Sequence, residues 1–161
     1  MKPSRSAGSS SYNKPEARAM VINLLMVEDN AGDVRLTMEA LKEAQIRAVL
    51  HVVHDGLSAL KFLTRRPPYT DSPRPDLVLL DLNLPIMDGR ELLAEVKQNK
   101  TLLQIPVIVL SSSNDAKDVF IAYSLHANCY VTKSATYEGT LEVIRGIEAF
   151  WLRLAQLPPG G

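Results

Sequence analysis

Cysteine is almost missing: the 161 residues contain one, Cys129. That excludes an intrachain disulfide framework and a structural zinc site built mainly from thiolates. Charge of one sign is not in excess, because 18 Lys+Arg balance 18 Asp+Glu. Proteins that grip nucleic acid or an anionic membrane by bulk charge carry a basic surplus, so neither partner is expected. No apolar run is long enough to span a bilayer, and the N-terminus lacks the apolar core of a secretory signal. The chain reads as cytoplasmic. Both nucleotide fingerprints are absent as well, G-x-x-x-x-G-K-[ST] and G-x-G-x-x-G.

What is present suits one compact domain with a real core: 46% hydrophobic and 22% charged residues. Residues 1–20 are rich in Ser, Pro and charge and have little to bury, which predicts a disordered N-terminal arm. The folded domain is expected over 21–155, with a short tail at 156–161.

From Val21 the pattern becomes regular. VINLLMV is a short apolar run of the kind covered on both faces of a parallel sheet, and it ends in Glu28-Asp29-Asn30. Asn30 is a good N-cap, and Asp33 suits the first helical turn, before Val34, Met38, Leu41 and Ala44 at helical spacing. The same grammar recurs. Ala48–Val53 precedes a helix opened by Asp55-Gly56, and LVLL runs between Asp76 and Asp81 ahead of a helix at Asp88-Gly89. Ile105–Ser111 precedes a helix at Asp115, and Cys129–Thr132 precedes a last helix from about Thr136 to Ala155. A proline-rich stretch, 65–75, reads as a surface loop. Strands alternating with helices demand a parallel sheet wrapped on both faces by right-handed crossovers. An open, doubly wound, five-stranded α/β sheet of flavodoxin-like (βα)5 type is the expected fold.

In such sheets the site lies beyond the carboxyl ends of the strands. The strand-like runs end in Glu28 and Asp29, in Asp81, in Ser111 and in Lys133. Acidic residues after a strand are often only helix caps, and Asp33, Asp88 and Asp115 fit that role. Glu28, Asp29 and Asp81 are harder to explain so. Asn30 already caps the first helix, and Asp81 runs into Leu82 and a proline. Crowded carboxylates repel unless a cation lies between them. Oxygen-only ligands suit Mg²⁺. Lys133 and the Ser111 hydroxyl would then face a phosphoryl group, with Asp81 at the sheet centre as the nucleophile.

These residues, Glu28-Asp29, Asp81-Leu82-Asn83-Leu84-Pro85, Met87-Asp88-Gly89, Ser111 and Lys133, resemble the response-regulator receiver domains of two-component signalling. The resemblance implies that Asp81 is the phosphoacceptor and that Asp29, Asp81 and the Asn83 carbonyl bind Mg²⁺, with Glu28 holding its waters. It also implies that Ser111, the Ser112 amide and Lys133 bind phosphoryl oxygens, and that Tyr130 is the aromatic switch. On this view the protein catalyses only its own phosphorylation and dephosphorylation. DLNLPIMDGRELLAEVK, LHANCYVTKS and GIEAFWLRLAQLP resemble the single-domain regulators that partner phytochrome-type histidine kinases. One departure stands out: Ser134 follows Lys133 where receivers usually have a cis proline, so the bond is either trans or strained.

No residues beyond the last helix suffice for an output domain, so output is expected from the receiver surface. Leu141, Ile144, Trp151 and Leu154 form one helical stripe. Val143, Ile147, Phe150, Leu152 and Leu157 widen it beyond what one buried face needs, predicting a homodimer through Phe150, Trp151, Leu154 and Leu157. Two alternatives use related architecture. A Mg²⁺-dependent aspartyl phosphohydrolase would want an acid where Asn83 stands, and a cap domain. A flavodoxin-like cofactor binder would want a Ser/Thr/Gly-rich loop in place of Glu28-Asp29-Asn30.

Overall fold

Parallel β1 (Ile22–Val27), β2 (Ala48–Val53), β3 (Leu77–Leu80), β4 (Val107–Ser111) and β5 (Cys129–Thr132) form one sheet in the order β2-β1-β3-β4-β5. They alternate with α1 (Ala31–Glu43), α2 (Gly56–Leu63), α3 (Gly89–Gln98), α4 (Ala116–Ser124) and α5 (Tyr137–Ile147). The doubly wound α/β expectation is met. This computed structural model describes residues 21–160, so the arm expected over 1–20 lies outside the described residues. Among the described residues no helix is long and apolar enough to cross a membrane.

The side-chain alternation of a strand divides the core into two layers. Leu25 and Val27 of β1, with Val78 and Leu80 of β3, pack under α2, α3 and α4 against Phe62, Leu93 and Ala122. Leu24 and Met26, with Leu77 and Leu79, face α1 and α5 against Ala40, Leu141 and Ile144. Both faces are covered, so the strand runs are continuously apolar rather than alternating. The order of strands reverses between β1 and β3, and that crevice is where such sheets bind ligands.

Local chemistry sets the helix starts. The side chains of Asn30, Asp55, Asp88, Asp115 and Thr136 accept backbone N–H groups at the five α-helix N-termini. Asp88 and Glu91 complete a reciprocal capping box on α3. The helix can begin so close to Asp81 because residue 89 is glycine: a Cβ there would run into the Asp81 carbonyl oxygen. The proline-rich loop is tied down rather than loose. Tyr69 packs on Phe62 at 5.6 Å, and the Ser72 hydroxyl donates to the Phe62 carbonyl at 2.7 Å.

The last helix departs from expectation. It is α-helical only to Ile147, then continues as a π-helix over Glu148–Leu154. The wider turn is visible in the Ala155 N–H donating to the Phe150 carbonyl, and in Arg153 bonding Glu148 five residues back at 2.7 Å. The single stripe expected through Leu154 is therefore corrected. Leu141, Ile144 and Ile147 are buried, Trp151 is half-buried, and Leu154 is 75% exposed. Each π-type turn takes an extra residue, so the side chain seven positions after Ile147 no longer returns to the buried side.

Candidate functional site

The backbone register brings the acids together. β1 and β3 pair with Val27 opposite Leu80, so Glu28 and Asp81 leave the sheet side by side. The Asp81 N–H donates to the Val27 carbonyl at 3.0 Å, and the Glu28 N–H donates to Val53 at 3.0 Å. These bonds extend the ladder one step past the strands and fix both side chains. Glu28 and Asp81 are buried, and Asp29 is exposed. Oxygens of Glu28, Asp29 and Asp81 lie within 4.8 Å of one another. An all-carboxylate oxygen set with one open side fits a hard divalent cation.

Lys133 reaches the same place from the end of β5. Its ammonium donates to both Glu28 oxygens at 3.0 Å, to Asp33 at 2.9 Å and to Asp81 at 3.3 Å. Burial opposes its charge, but the Asp33, Glu28 and Asp81 carboxylates outweigh that and hold it above the usual lysine value. Glu28 responds oppositely. Burial, then the neighbouring Asp81 carboxylate, pushes it up to about 8 against the pull of Lys133. The Lys133–Ser134 bond is trans, since the cis bond among the described residues is Pro67–Pro68. The lysine reaches the acids without a cis bond.

Ser111 is buried at the end of β4. Its hydroxyl oxygen accepts the Ser113 N–H at 3.2 Å, and its carbonyl accepts the Lys133 N–H at 2.8 Å. Tyr130 is half-buried on β5, with its hydroxyl donating to the Ser113 carbonyl at 2.8 Å and its N–H donating to the Tyr123 hydroxyl at 3.2 Å. Thus the loop after Ser111 is held on one side by the Ser111 hydroxyl and on another by Tyr130.

A buried carboxylate at the sheet centre, a second acidic pair, a strand-end hydroxyl and a convergent lysine form one constellation. The family model for the response regulator receiver domain matches residues 24–145. The chain belongs to that family. It is similar to the response regulator Rcp1 of Synechocystis sp., at 50% identity over 135 residues, 84% of this chain and 92% of Rcp1. The solved Mn²⁺-bound form of Rcp1 matches with a TM-score of 0.80 at 48% identity, covering 86% of this chain and 99% of that one. The phosphorylated cyanobacterial phytochrome response regulator RcpA matches with 0.83 at 46% identity, over 87% and 100%.

Within this receiver, the expected residues Glu28, Asp29, Asp81 and Lys133 meet in one cluster. Asn83 is exposed beside it, with its N–H donating to Asp81 Oδ1 at 3.2 Å. Ser112 is exposed next to Ser111. Phe150 and Leu154 are exposed on the π-helical segment, whereas Trp151 and Leu157 are half-buried. The reading of the sequence missed Asp33, which it assigned to the helix dipole. Asp33 does occupy the first turn of α1, but its carboxylate also binds Lys133. His54, read from the sequence as a surface or half-buried imidazole, has its Nδ1 3.0 Å from the Glu28 carbonyl and braces that turn. Asp33 does not end an apolar run, so the strand-end rule could not find it; His54 does follow β2, but a lone imidazole there reads as a surface or half-buried side chain.

Proposed function

We propose that this response regulator accepts a phosphoryl group on Asp81 from a phytochrome-type histidine kinase, in the cytoplasm and with Mg²⁺. The observation that carries this reading is the ammonium of Lys133 within 3.3 Å of the buried Asp81 carboxylate, which stands beside Glu28 and Asp29. In the transfer an Asp81 oxygen forms the new P–O bond while the P–N bond of the phosphohistidine breaks, its electron pair leaving with the imidazole nitrogen. The Lys133 ammonium, the Ser111 hydroxyl and the Ser112 amide stabilise the phosphoryl oxygens. Asp29, Asp81 and the Asn83 carbonyl would hold the metal directly, and Glu28 through water. When bound, the ion neutralises charge on the carboxylates and the phosphoryl group.

Phytochrome partnership rests on the likeness to the phytochrome response regulator RcpA. The reading assigns no turnover of an outside substrate: the protein catalyses only its own phosphorylation and dephosphorylation. Output goes through its own surface, including self-association by Phe150, Trp151, Leu154 and Leu157. The test is incubation with acetyl phosphate and Mg²⁺, and in parallel with a phosphorylated phytochrome kinase. One stoichiometric aspartyl phosphate is expected, lost in Asp81→Asn and on chelation of the metal. Full labelling of Asp81→Asn would sink the assignment.

A further inference from the structure

Two helices begin at the rim of the site, and one guanidinium joins them. α3 starts directly after the Asp81 turn, with the Arg90 N–H donating to its cap Asp88 at 2.8 Å. The Arg90 side chain then turns away from α3. Nη2 donates to Asp118 Oδ1 at 2.9 Å, while Nη1 keeps longer contacts of 3.4 Å to both Asp88 oxygens. Asp118 lies in the first turn of α4. Both side chains are about three-quarters covered, 28% and 26% exposed, so the pair is less screened than a surface bridge. A planar guanidinium shared between two carboxylates fixes direction as well as distance.

The start of α4 that this bridge holds is tied to the phosphoryl-binding loop through its cap, Asp115. Asp118 is held below the usual carboxylate range by the Ser113 hydroxyl first and Arg90 second. Ser113 is the residue on which the loop turns. Its N–H donates to Ser111 Oγ at 3.2 Å, its carbonyl accepts from Tyr130 at 2.8 Å, and its hydroxyl accepts the N–H of the α4 cap Asp115 at 3.2 Å. A shift of α4 against α3 would therefore move Ser113, and with it the partner of the Ser111 hydroxyl.

We propose that Arg90 and Asp118 are positioning residues for phosphoryl transfer: their pair locks the start of α4 to the phosphoacceptor turn and so holds Ser111–Ser113 ready for the phosphoryl oxygens. This rests on the reading of Asp81 as the phosphoacceptor. It does not involve the metal-binding carboxylates, and that separation makes it testable. Lys117 is the basic residue in the first turn of α4, but Asp118 forms its ion pair with Arg90.

The experiment compares the full chain with Arg90→Ala, Asp118→Asn and the double variant. Phosphorylation rate with acetyl phosphate and Mg²⁺ affinity by calorimetry are measured for each. Either single change is expected to slow phosphorylation about tenfold, the cost of a misplaced loop, with little further loss in the double variant. Mg²⁺ affinity should stay within about twofold of the parent, because Glu28, Asp29 and Asp81 are untouched. Asp118→Asn keeps the shape of the side chain and serves if Arg90→Ala folds poorly. Rates within about twofold of the parent, additive losses, or a parallel fall in Mg²⁺ affinity would each overturn the proposal. An unlabelled parent, or a labelled Asp81→Asn, would instead overturn the reading on which it rests.

Discussion

The Lys133 ammonium lies closer to Asp33 than to Asp81, 2.9 Å against 3.3 Å. One cation thus serves three carboxylates, from just past the ends of β1 and β3 and from α1, and Asp29 stands nearby without it. The raised value of Glu28, about 8, keeps that carboxyl largely protonated at neutral pH. Four carboxyl groups, Glu28, Asp29, Asp33 and Asp81, thus meet one ammonium. That imbalance leaves room for a cation beside Asp29, which Lys133 does not reach.

Removing the lysine should therefore be costly. Lys133→Ala strands the buried Asp81 carboxylate without a counter-ion and takes the donor from both Glu28 oxygens, and breaking a buried pair in this way costs roughly 3–5 kcal/mol. Urea unfolding of the metal-free protein measures it, and millimolar Mg²⁺ should restore part of the loss by mass action. Asp33→Asn should cost less than about 1 kcal/mol, because that carboxylate is 36% exposed and screened. A loss below about 1 kcal/mol in Lys133→Ala would mean that the acids do not depend on it.

The pH dependence has a definite sign. Glu28 moves from its ordinary 4.5 to about 8 on folding, so the folded state holds this proton more tightly than the unfolded chain. Its contribution to stability is full below the unfolded value of 4.5 and is lost as pH rises through about 8. In metal-free protein, the urea midpoint should fall across this window, and Glu28→Gln should flatten the decline. Mg²⁺ binding near neutrality should release a proton, seen as a calorimetric heat that varies with buffer ionisation enthalpy. A midpoint flat across the window in the parent would contradict the assignment of a protonated Glu28.

Much of this was legible in the sequence because parallel strands announce themselves. Each apolar run ends where the ladder ends, so Glu28, Asp81, Ser111 and Lys133 could be placed on one edge before any coordinates. Asp33 was hidden because a first-turn carboxylate has a sufficient local explanation in the helix dipole, while its partner is 100 residues away. Arg90–Asp118 was hidden because neither residue ends an apolar run and the two lie 28 residues apart. The change to a π-helix at Glu148 left no mark in the periodicity, and so Leu154 was assigned to a stripe that it leaves.

Ile86 carries a different kind of stress. It has φ 69°, it is 79% exposed, and the Met87 N–H donates across it to the Pro85 carbonyl at 2.8 Å. That is a γ-turn of the rare, strained hand, centred on a β-branched residue between Asp81 and α3. The left-handed region costs an L-residue roughly 1–2 kcal/mol, against about 0.4–1 kcal/mol for the extra freedom glycine gives the unfolded chain. Ile86→Gly should thus raise stability by about 0.5–1 kcal/mol in metal-free urea unfolding. A destabilised variant would show that the Ile86 side chain is held by packing that outweighs its backbone strain.

The C-terminal surface supplies the last prediction. On the π-helical segment Phe150 is 50% and Leu154 75% exposed, and the Phe150 ring stands edge-on to Trp151 at 5.2 Å and 84°. Trp151 and Leu152 lean on the α5 side of the core, so this segment is anchored while Phe150 and Leu154 point elsewhere. Burying a Phe or Leu side chain stabilises by about 1.5–3 kcal/mol, and a two-fold dimer would use each residue twice. Tyr130 lies on β5 next to α5 in the chain and contacts the Ser113 loop, which gives phosphorylation a route to this surface. Such coupling is worth about 1–3 kcal/mol, enough to tighten a dimer roughly 5–150-fold but not to create one from nothing. Sedimentation of the parent, of a beryllofluoride-treated sample and of Phe150→Asp/Leu154→Asp decides it. The parent should be dimeric at tens of micromolar and tighter with beryllofluoride. The double variant should be monomeric yet still phosphorylated at the parental rate. A parent that stays monomeric in both states would refute the dimer and return Phe150 and Leu154 to another partner.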